Sequence, residues 1–362
     1  MSHALEFDRA PQRIYWEITR ACGLTCRHCR AEAQPLPDPA ELTTAEGLTM
    51  LDRFAAFGDP KPHVIFTGGD PLERADLWQL IAHARGLGLH VSVSPSATPR
   101  LTPEVIHRFG RDGVEAMSLS IDGATAARHD DLRGVPGCFA RTLVAAKAAA
   151  EAGLLVQVNT LVSAETVDQL QAIYELVVGL GVARWSLFFL VTVGRGTVLE
   201  AIDAPRAEQL LEWVADLPKG PGLPIVTTTE APHFRRIVAG KRQLAVQQPA
   251  GAGAHAHSRA GYGIRDGNGI MFVSNTGEVA PSGFLPISAG DVRKTDPVEI
   301  YRTSPLFVAL RRASDFQGRC GVCNFRMVCG GSRARAWAAS GDPLGEDPLC
   351  LYRPPAMQPK VA

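Results

Sequence analysis

The chain has 362 residues, 46% hydrophobic and 20% charged, with 37 basic against 37 acidic side chains and a formal net charge of zero. That length suffices for one large domain and a smaller one, and the charge balance gives no electrostatic ground for a nucleic-acid partner or an anionic surface. The N-terminal MSHALEFDRAPQ lacks the apolar core of an export signal, and no apolar run reaches the roughly 20 residues of a membrane span; a cytoplasmic protein is expected.

The first two thirds alternate strand and helix. IYWEI (14–18) predicts a first strand, and Thr43 with Glu46 forms a capping box before Leu48, Leu51, Phe54 and Ala55 on one helical face. VIFT (64–67), HVSVS (90–94), EAMSLS (115–120), LLVQVNTLV (154–162) and RWSLFFL (184–190) predict strands two to six. Helices are expected near 72–87, 102–109, 138–152, 164–180 and 205–216. Repeated β–α units imply a parallel sheet with helices outside, and six units fall short of a closed eight-fold barrel. The expected fold class is therefore α/β, a partial (β/α)6 TIM-type barrel over 1–217, with PIVTT (224–228) a further strand near its edge. A smaller α+β domain is expected over 218–362, opening on the turn PKGPG. There QQPAGAGAHAHSRAGYG (247–263) reads as a mobile loop and GIMFVSNTGEVAPSGF (269–284) as a hairpin. No internal repeat is evident.

Seven of the eight cysteines fall into two groups, which in a chain without an export signal points to metal or cluster ligands rather than disulfides. Cys22, Cys26 and Cys29 have the spacing C-x3-C-x2-C directly after the first strand. Zinc usually takes four ligands in paired C-x2-C units; three thiolates in one loop suit instead a cubane iron–sulfur cluster with one iron left open. His28 lies between two of them, on a loop too tight for neighbours to point together. The second group, Cys320, Cys323, Cys329 and Cys350, can saturate either a zinc ion or a cluster. Cys138, in RGVPGCFARTL, reads as a small buried apolar residue.

The spacing C-x3-C-x2-C after strand one resembles the signature of the radical SAM superfamily, and further segments follow in the order of that family. TGGDP (67–71) resembles the segment that receives the amino group of S-adenosylmethionine, which implies Gly68, Gly69 and Asp70 as contacts, with Asp70 in place of the more usual Glu. SLSIDG (118–123) resembles the segment near the ribose and carboxylate, implying Ser120 and Asp122; Asn159 matches a ribose position, and VGRG (193–196) the adenine region. The resemblance implies a 4Fe–4S cluster on Cys22, Cys26 and Cys29, an S-adenosylmethionine on its open iron, reductive release of a 5′-deoxyadenosyl radical, and an electron donor such as flavodoxin or ferredoxin. The second cysteine group resembles SPASM and twitch extensions, which hold auxiliary 4Fe–4S clusters. Full SPASM domains carry seven cysteines and two clusters; this chain has Ser282 and Arg333 where further cysteines are expected, so one auxiliary cluster is implied.

WEITRACGLTCRHCRAEA and CGVCNFRMVCGGSRARA, the latter followed by GDPLGEDPLC, most resemble enzymes that remove or oxidise propionate side chains of iron porphyrinoids in heme d1 and alternative heme biosynthesis. The resemblance is weaker over 217–300, where substrate should be chosen. A tetrapyrrole is thus the expected substrate, a ribosomally made peptide the competing one; many enzymes of that second type carry a binding extension ahead of the barrel, for which the cysteines at 22–29 leave no room. A non-catalytic zinc-binding scaffold is the alternative of another class. His233, Arg235 and Arg236 are candidates for substrate carboxylates or for an ordinary helix start. His255 and His257 are weak candidates for an axial ligand, and Tyr262 for a hydrogen donor. Arg333 and Arg335 either neutralise cluster charge or pair at the surface.

Overall fold

A computed structural model describes residues 6–241 and 263–358; His255, His257, Tyr262 and almost all of the 247–263 loop lie outside the described residues. Strand β1 (Arg13–Thr19) leads to helix α1 (Thr44–Ala55), β2 (His63–Gly68) to α2 (Leu77–Gly86), and β3 (His90–Val93) to α3 (Pro103–Arg111). Strand β4 (Ala116–Ser120) is followed by two helices, α4 (Ala126–Arg133) and α5 (Cys138–Glu151). Then come β5 (Leu155–Val162), α6 (Leu170–Gly179), β6 (Arg184–Phe189), α7 (Ala204–Asp216), β7 (Ile225–Thr229) and α8 (Phe234–Lys241). Strands β1 to β7 lie side by side in chain order, every pairing parallel. This is the partial barrel expected from the β–α alternation, with β7 as its seventh parallel strand.

The sheet runs past residue 217 in two directions. Besides β7 at one edge, β8 (Ile270–Val273) pairs parallel with β1 on the other side, then β9 (Glu278–Ala280) and β10 (Gly290–Asp291) add antiparallel. The predicted hairpin is therefore β8–β9, and it continues the barrel sheet. Helices α9 (Pro297–Thr303), α10 (Pro305–Arg311), α11 (Gly318–Gly321) and α12 (Arg333–Ser340) complete the chain. Among the described residues no helix is long and apolar enough to cross a membrane.

The alternation within β1 explains how one strand serves both core and site. Ile14, Trp16 and Ile18 are fully buried and belong to the main core, with Phe66 tilted against Trp16 at 5.6 Å. Helix α1 starts as its capping box requires: Thr43 Oγ1 accepts from Glu46 N, and the Glu46 carboxylate accepts from Thr43 N at 2.8 Å. Its apolar face then presses Met50, Leu51 and Phe54 into the same core. The sequence placed no helix at α4, a polar segment with little periodic signal; its markers are the caps, Thr125 before it and left-handed Gly134 after it.

Two substitutions separate packing from capping. Phe54 is wholly enclosed, so Phe54→Ala is expected to cost about 3–5 kcal/mol, against about 1 kcal/mol for Thr43→Ala. Unfolding midpoints compared under anaerobic conditions check this; equal shifts would contradict it.

Candidate active site

Every segment singled out in the barrel leaves the same rim, the C-terminal ends of the strands, where such a fold places its site. At the ends of β1 and β2 the backbones run almost into contact. Gly69 N donates to Thr19 O at 2.9 Å and Asp70 N to Ala21 O at 2.7 Å. A Cβ on Gly68 would lie 2.2 Å from Thr19 O, and one on Gly69 2.3 Å from Ala21 O. Both glycines are thus required by the close approach of two chains; Gly68, at φ 143°, also has a backbone conformation that L side chains rarely adopt.

The cysteine loop starts at this junction. Its backbone is pinned on several sides: Cys22 N donates to Gln34 O at 2.9 Å, Arg27 N to Leu132 O at 3.0 Å, and Arg195 N to Cys29 O at 3.1 Å. Leu24 N donates to Cys22 Sγ at 3.3 Å and Ala33 N to Cys29 Sγ at 3.4 Å. Cys26 is buried beside Leu24, Ala97 and Cys138, with Cys22 and Cys29 packed against that group. Cys138 thus fills the apolar wall behind the triad, as its small buried reading anticipated. Burial pushes the Cys22 thiol up to about 11 and raises that of Cys26 as well. Buried thiols with N–H donors aimed at sulfur suit a metal that displaces their protons.

Arg133, absent from the sequence candidates, ties this loop to the SIDG turn. Its Nη1 lies 3.8 Å from Cys26 Sγ, and its Nη2 makes a short ion pair with Asp122 Oδ2. The other Asp122 oxygen accepts from Leu161 N at 2.7 Å. Burial opposes ionisation of Asp122, but Arg133, then His28 and His129, outweigh it, and its pKa falls below the usual value. Asp122 N donates to His129 Nδ1 at 3.1 Å, so the His129 proton resides on Nε2. Burial, followed by Arg133, pushes both His28 and His129 down to about 4, so both are neutral at pH 7. His28 turns toward Asp122, with Nε2 4.0 Å from Oδ2, which accords with the expectation that it is no ligand.

Two of the expected S-adenosylmethionine contacts, Asp122 and Asp70, have partners within the protein. Asp122 is enclosed, and its oxygens accept from Arg133 and the β5 backbone. Asp70 is completely buried; its carboxylate accepts from Thr98 Oγ1 at 2.8 Å, Leu72 N at 3.2 Å and Ser96 N at 3.3 Å, and burial pushes its pKa up to about 6. It holds the turn after β2 from the inside. Ser120 and Asn159, by contrast, are direct partners in the β4–β5 register, both half-buried, with Gln157 donating to Asn159 Oδ1 at 2.7 Å. The VGRG segment packs on the cysteine loop: a Cβ on Gly194 would meet Arg30 O at 2.5 Å.

Several buried donors around this rim have no hydrogen-bond partner among the described residues: Arg133 Nε, Arg141 Nη2, Arg195 Nε and Nη2, His28 Nδ1 and His129 Nε2. Unpaired buried guanidinium nitrogens are costly unless a ligand supplies an acceptor, and three arginines fit a ligand with a carboxylate.

The second cysteine group converges. Cys320, Cys323, Cys329 and Cys350 line one small pocket, walled also by Phe325, Tyr352 and the glycines 330 and 331. Phe325 N donates to Cys323 Sγ and Gly331 N to Cys329 Sγ, each at 3.4 Å. Burial pushes the thiol of Cys329 up to about 12 and that of Cys350 to about 11. Among the described residues no three His, Cys, Asp or Glu side chains converge closely enough to hold a single metal ion; a cubane spreads its thiolates further apart than one ion does, and the four thiols around this cavity fit that donor set.

Of the three substrate candidates Arg236 lines this second pocket; His233 is buried, and Arg235 and Arg236 are half-buried. His233 is fully enclosed against Phe189, with Nδ1 4.0 Å from Asp347 Oδ2, and burial pushes its pKa down to about 4. Arg236 pairs with Glu208 at 2.6 Å and lies over Tyr352 in the cavity wall. Arg235 donates to Val328 O at 3.2 Å. Helix α8 turns its first residues inward against the C-terminal segment. Ser282 is buried and accepts from Phe284 N and Leu285 N, both at 3.2 Å, which makes it an enclosed turn serine.

A three-cysteine loop on the rim of a partial barrel, backed by buried cations, defines the class of cluster-dependent barrel enzymes. Residues 16–177 match the radical SAM superfamily. The chain is 40% identical over 96% of its length to an AdoMet-dependent heme synthase of Nitratidesulfovibrio vulgaris, covering 94% of that protein, and 30% identical over 93% to a pre-heme d1 synthase of Dinoroseobacter shibae, covering 85% of it. Its fold is similar to that of Streptococcus suis SuiB bound to the precursor peptide SuiA, with TM-score 0.72 at 16% identity over 95% of this chain and 76% of that one. The chain belongs to the radical SAM superfamily, and membership brings with it S-adenosylmethionine and a 4Fe–4S cluster.

The Asp122–Arg133 pair carries a prediction. Arg133→Met leaves a buried carboxylate unpaired and is expected to destabilise the fold by about 3–5 kcal/mol. Adding Asp122→Asn should recover much of that loss, as a double-mutant cycle of thermal unfolding would register; purely additive losses would contradict the coupling.

Proposed function

We propose that this enzyme takes a hydrogen from a propionate side chain of an iron porphyrinoid and decarboxylates that side chain oxidatively. The observation that carries the reading is the end-to-end match at 40% identity to a protein named AdoMet-dependent heme synthase, which extends across both cysteine groups and the 217–300 region between them. The peptide alternative draws on sequence relatives of lower identity, 27% over 95% of this chain to a PqqA peptide cyclase of Methylocella silvestris, and on a likeness of fold at 16% identity, which bears on architecture alone.

Cys22, Cys26 and Cys29 would hold three irons of the first cluster and leave the fourth for S-adenosylmethionine. Together those groups supply one-electron cleavage of a sulfonium carbon–sulfur bond and hence the power to abstract hydrogen. Arg133 offsets thiolate charge at Cys26 while fixing the SIDG turn through Asp122. The unpaired nitrogens of Arg133, Arg141 and Arg195 are suited to the methionine carboxylate, and Ser120 with Asn159 to the ribose hydroxyls. Gly68 and Gly69 bring backbone to the amine, with Asp70 bracing the turn beneath. The apolar packing around Cys26 keeps water from the reacting centre. Cys320, Cys323, Cys329 and Cys350 would hold a second 4Fe–4S cluster that takes up the electron left on the substrate. A flavodoxin or ferredoxin is the fitting donor for the first.

Anaerobic reconstitution is expected to give about eight irons and eight sulfides per chain, and turnover with an iron porphyrinoid to release carbon dioxide from its propionates. Cys26→Ala should abolish cleavage of S-adenosylmethionine. Cys323→Ala should retain uncoupled cleavage and lose product. Bound zinc with no cleavage would sink the enzymatic reading; an unchanged porphyrinoid beside an altered peptide would sink the substrate.

A further inference from the structure

We propose that Arg333 is the built-in counter-ion of the C-terminal cluster and raises its reduction potential, fitting that cluster to accept the electron of the substrate radical. The inference rests on the assignment of a 4Fe–4S cluster to Cys320, Cys323, Cys329 and Cys350. Arg333 occupies the position where a further cysteine was expected, and the structure gives the arginine a role at the same site.

Arg333 is the first residue of α12 and is completely buried. Its Nε donates to Gly331 O at 3.3 Å, its Nη1 to Pro343 O at 3.2 Å and Gly345 O at 2.7 Å, and its Nη2 to Cys320 Sγ at 3.5 Å. The guanidinium lies over Phe316 at 4.4 Å, and that of Arg265, also buried, lies 5.1 Å from the same ring. Three other arginines of this region each have a carboxylate, Arg236 with Glu208, Arg319 with Glu346 and Arg335 with Asp347, while Arg326 at the outer wall donates to Cys323 O at 3.3 Å. Arg333 and Arg265 form no salt bridge among the described residues; their donors go to backbone carbonyls and, for Arg333, to one cysteine sulfur.

A buried cation without an anion is unfavourable. Four cysteine thiolates around a cubane carry net negative charge, and the one atom of that set in contact with Arg333 is Cys320 Sγ. Reduction adds a further negative charge beside a fixed guanidinium in a poorly screened interior, so the cation stabilises the reduced state more than the oxidised one. The N–H···S bond to Cys320 acts in the same direction, as do those from Gly331 and Phe325.

The electron count of the proposed reaction calls for such an acceptor. Abstraction of a hydrogen atom from the propionate carbon next to the ring leaves a carbon radical. The bond to the carboxylate then breaks, a carbon–carbon double bond forms and carbon dioxide departs, and one electron must leave with it. The oxidised C-terminal cluster takes that electron, and a one-electron carrier protein removes it before the next turnover.

The test is a potentiometric titration of wild-type, Arg333→Gln and Arg333→Lys holoenzymes, following by electron paramagnetic resonance the cluster whose signal is unmoved by added S-adenosylmethionine. Arg333→Gln is expected to lose at least tenfold in the equilibrium constant for reduction, a fall of ~59 mV for one electron. Arg333→Lys, which keeps the charge, should fall by less. An Arg333→Gln protein with full iron and sulfide and an unchanged midpoint overturns the proposal. If Arg333→Gln loses the cluster altogether, restored iron in Arg333→Lys supports the counter-ion role, and iron lost from both variants overturns it. Zinc on the four thiols of the wild-type protein would refute the cluster assignment itself, a result distinct from any of these.

Discussion

The site depends on the meeting of two backbones at the ends of β1 and β2. Hydrogen bonding between these strands continues past their last paired residues, through Gly69 to Thr19 and Asp70 to Ala21. No side chain larger than hydrogen fits on Gly68 or Gly69 at that approach. The cysteine loop therefore leaves β1 from a point fixed by the sheet, and the turn after β2 is locked against it by the inward carboxylate of Asp70. A loop of three thiols would otherwise fold onto itself; here its ends are held by parallel-sheet geometry and its middle by α4 and the segment after β6.

Buried charge is the second constraint, and both cysteine groups handle it with arginine. At the first, Arg133 touches Cys26 and Asp122 together, so the cation is shared between a thiol and a carboxylate. Its charge is balanced before any metal arrives, which keeps this rim ordered while its ligand comes and goes. Around the second group, Arg319 and Arg236 are matched by Glu346 and Glu208, but Arg333 meets only carbonyls and a sulfur. A site that must bind and release a cofactor is better served by an internally balanced charge. A site that keeps its group permanently can leave the balancing to that group.

The parts of this structure legible in the sequence are those set by local pattern. Six strands could be placed because each is a short apolar run between turn residues, and α1 because Thr43 and Glu46 cap an apolar stripe. Helix α4 escaped because its face toward the core is made of His129 and Leu132 among charged neighbours, a pattern that reads as loop until its caps are weighed. The chemistry of the motifs was legible as residue type and not as direction. Asp70 and Asp122 could be named from the resemblance, but their internal partners could not: Asp70 accepts from Thr98 Oγ1 and the backbone N–H groups of Leu72 and Ser96, and Asp122 from Leu161 N and Arg133, residues between 2 and 39 positions away. The surroundings of His233 and Arg236 were not legible either, since the segments that cover them, around Asp347 and Tyr352, are more than a hundred residues distant in the chain.

The pairing of β8 with β1 was invisible to sequence reasoning, and it governs how the two cysteine groups are related. β1 carries the first group at its C-terminal end, and β8, parallel to it from Arg13↔Ile270 to Trp16↔Val273, begins the hairpin that leads into the C-terminal segment. Arg30, one residue past the triad, pairs with Glu17 on β1, lies over Phe272 on β8 and donates to Gly283 O beyond β9. A single side chain of the cysteine loop therefore touches the first strand, the added strand and the turn of Ser282. The C-terminal segment is joined to the barrel by the strand hydrogen bonds of β8 and by this arginine, which also belongs to the loop of the first cysteine group.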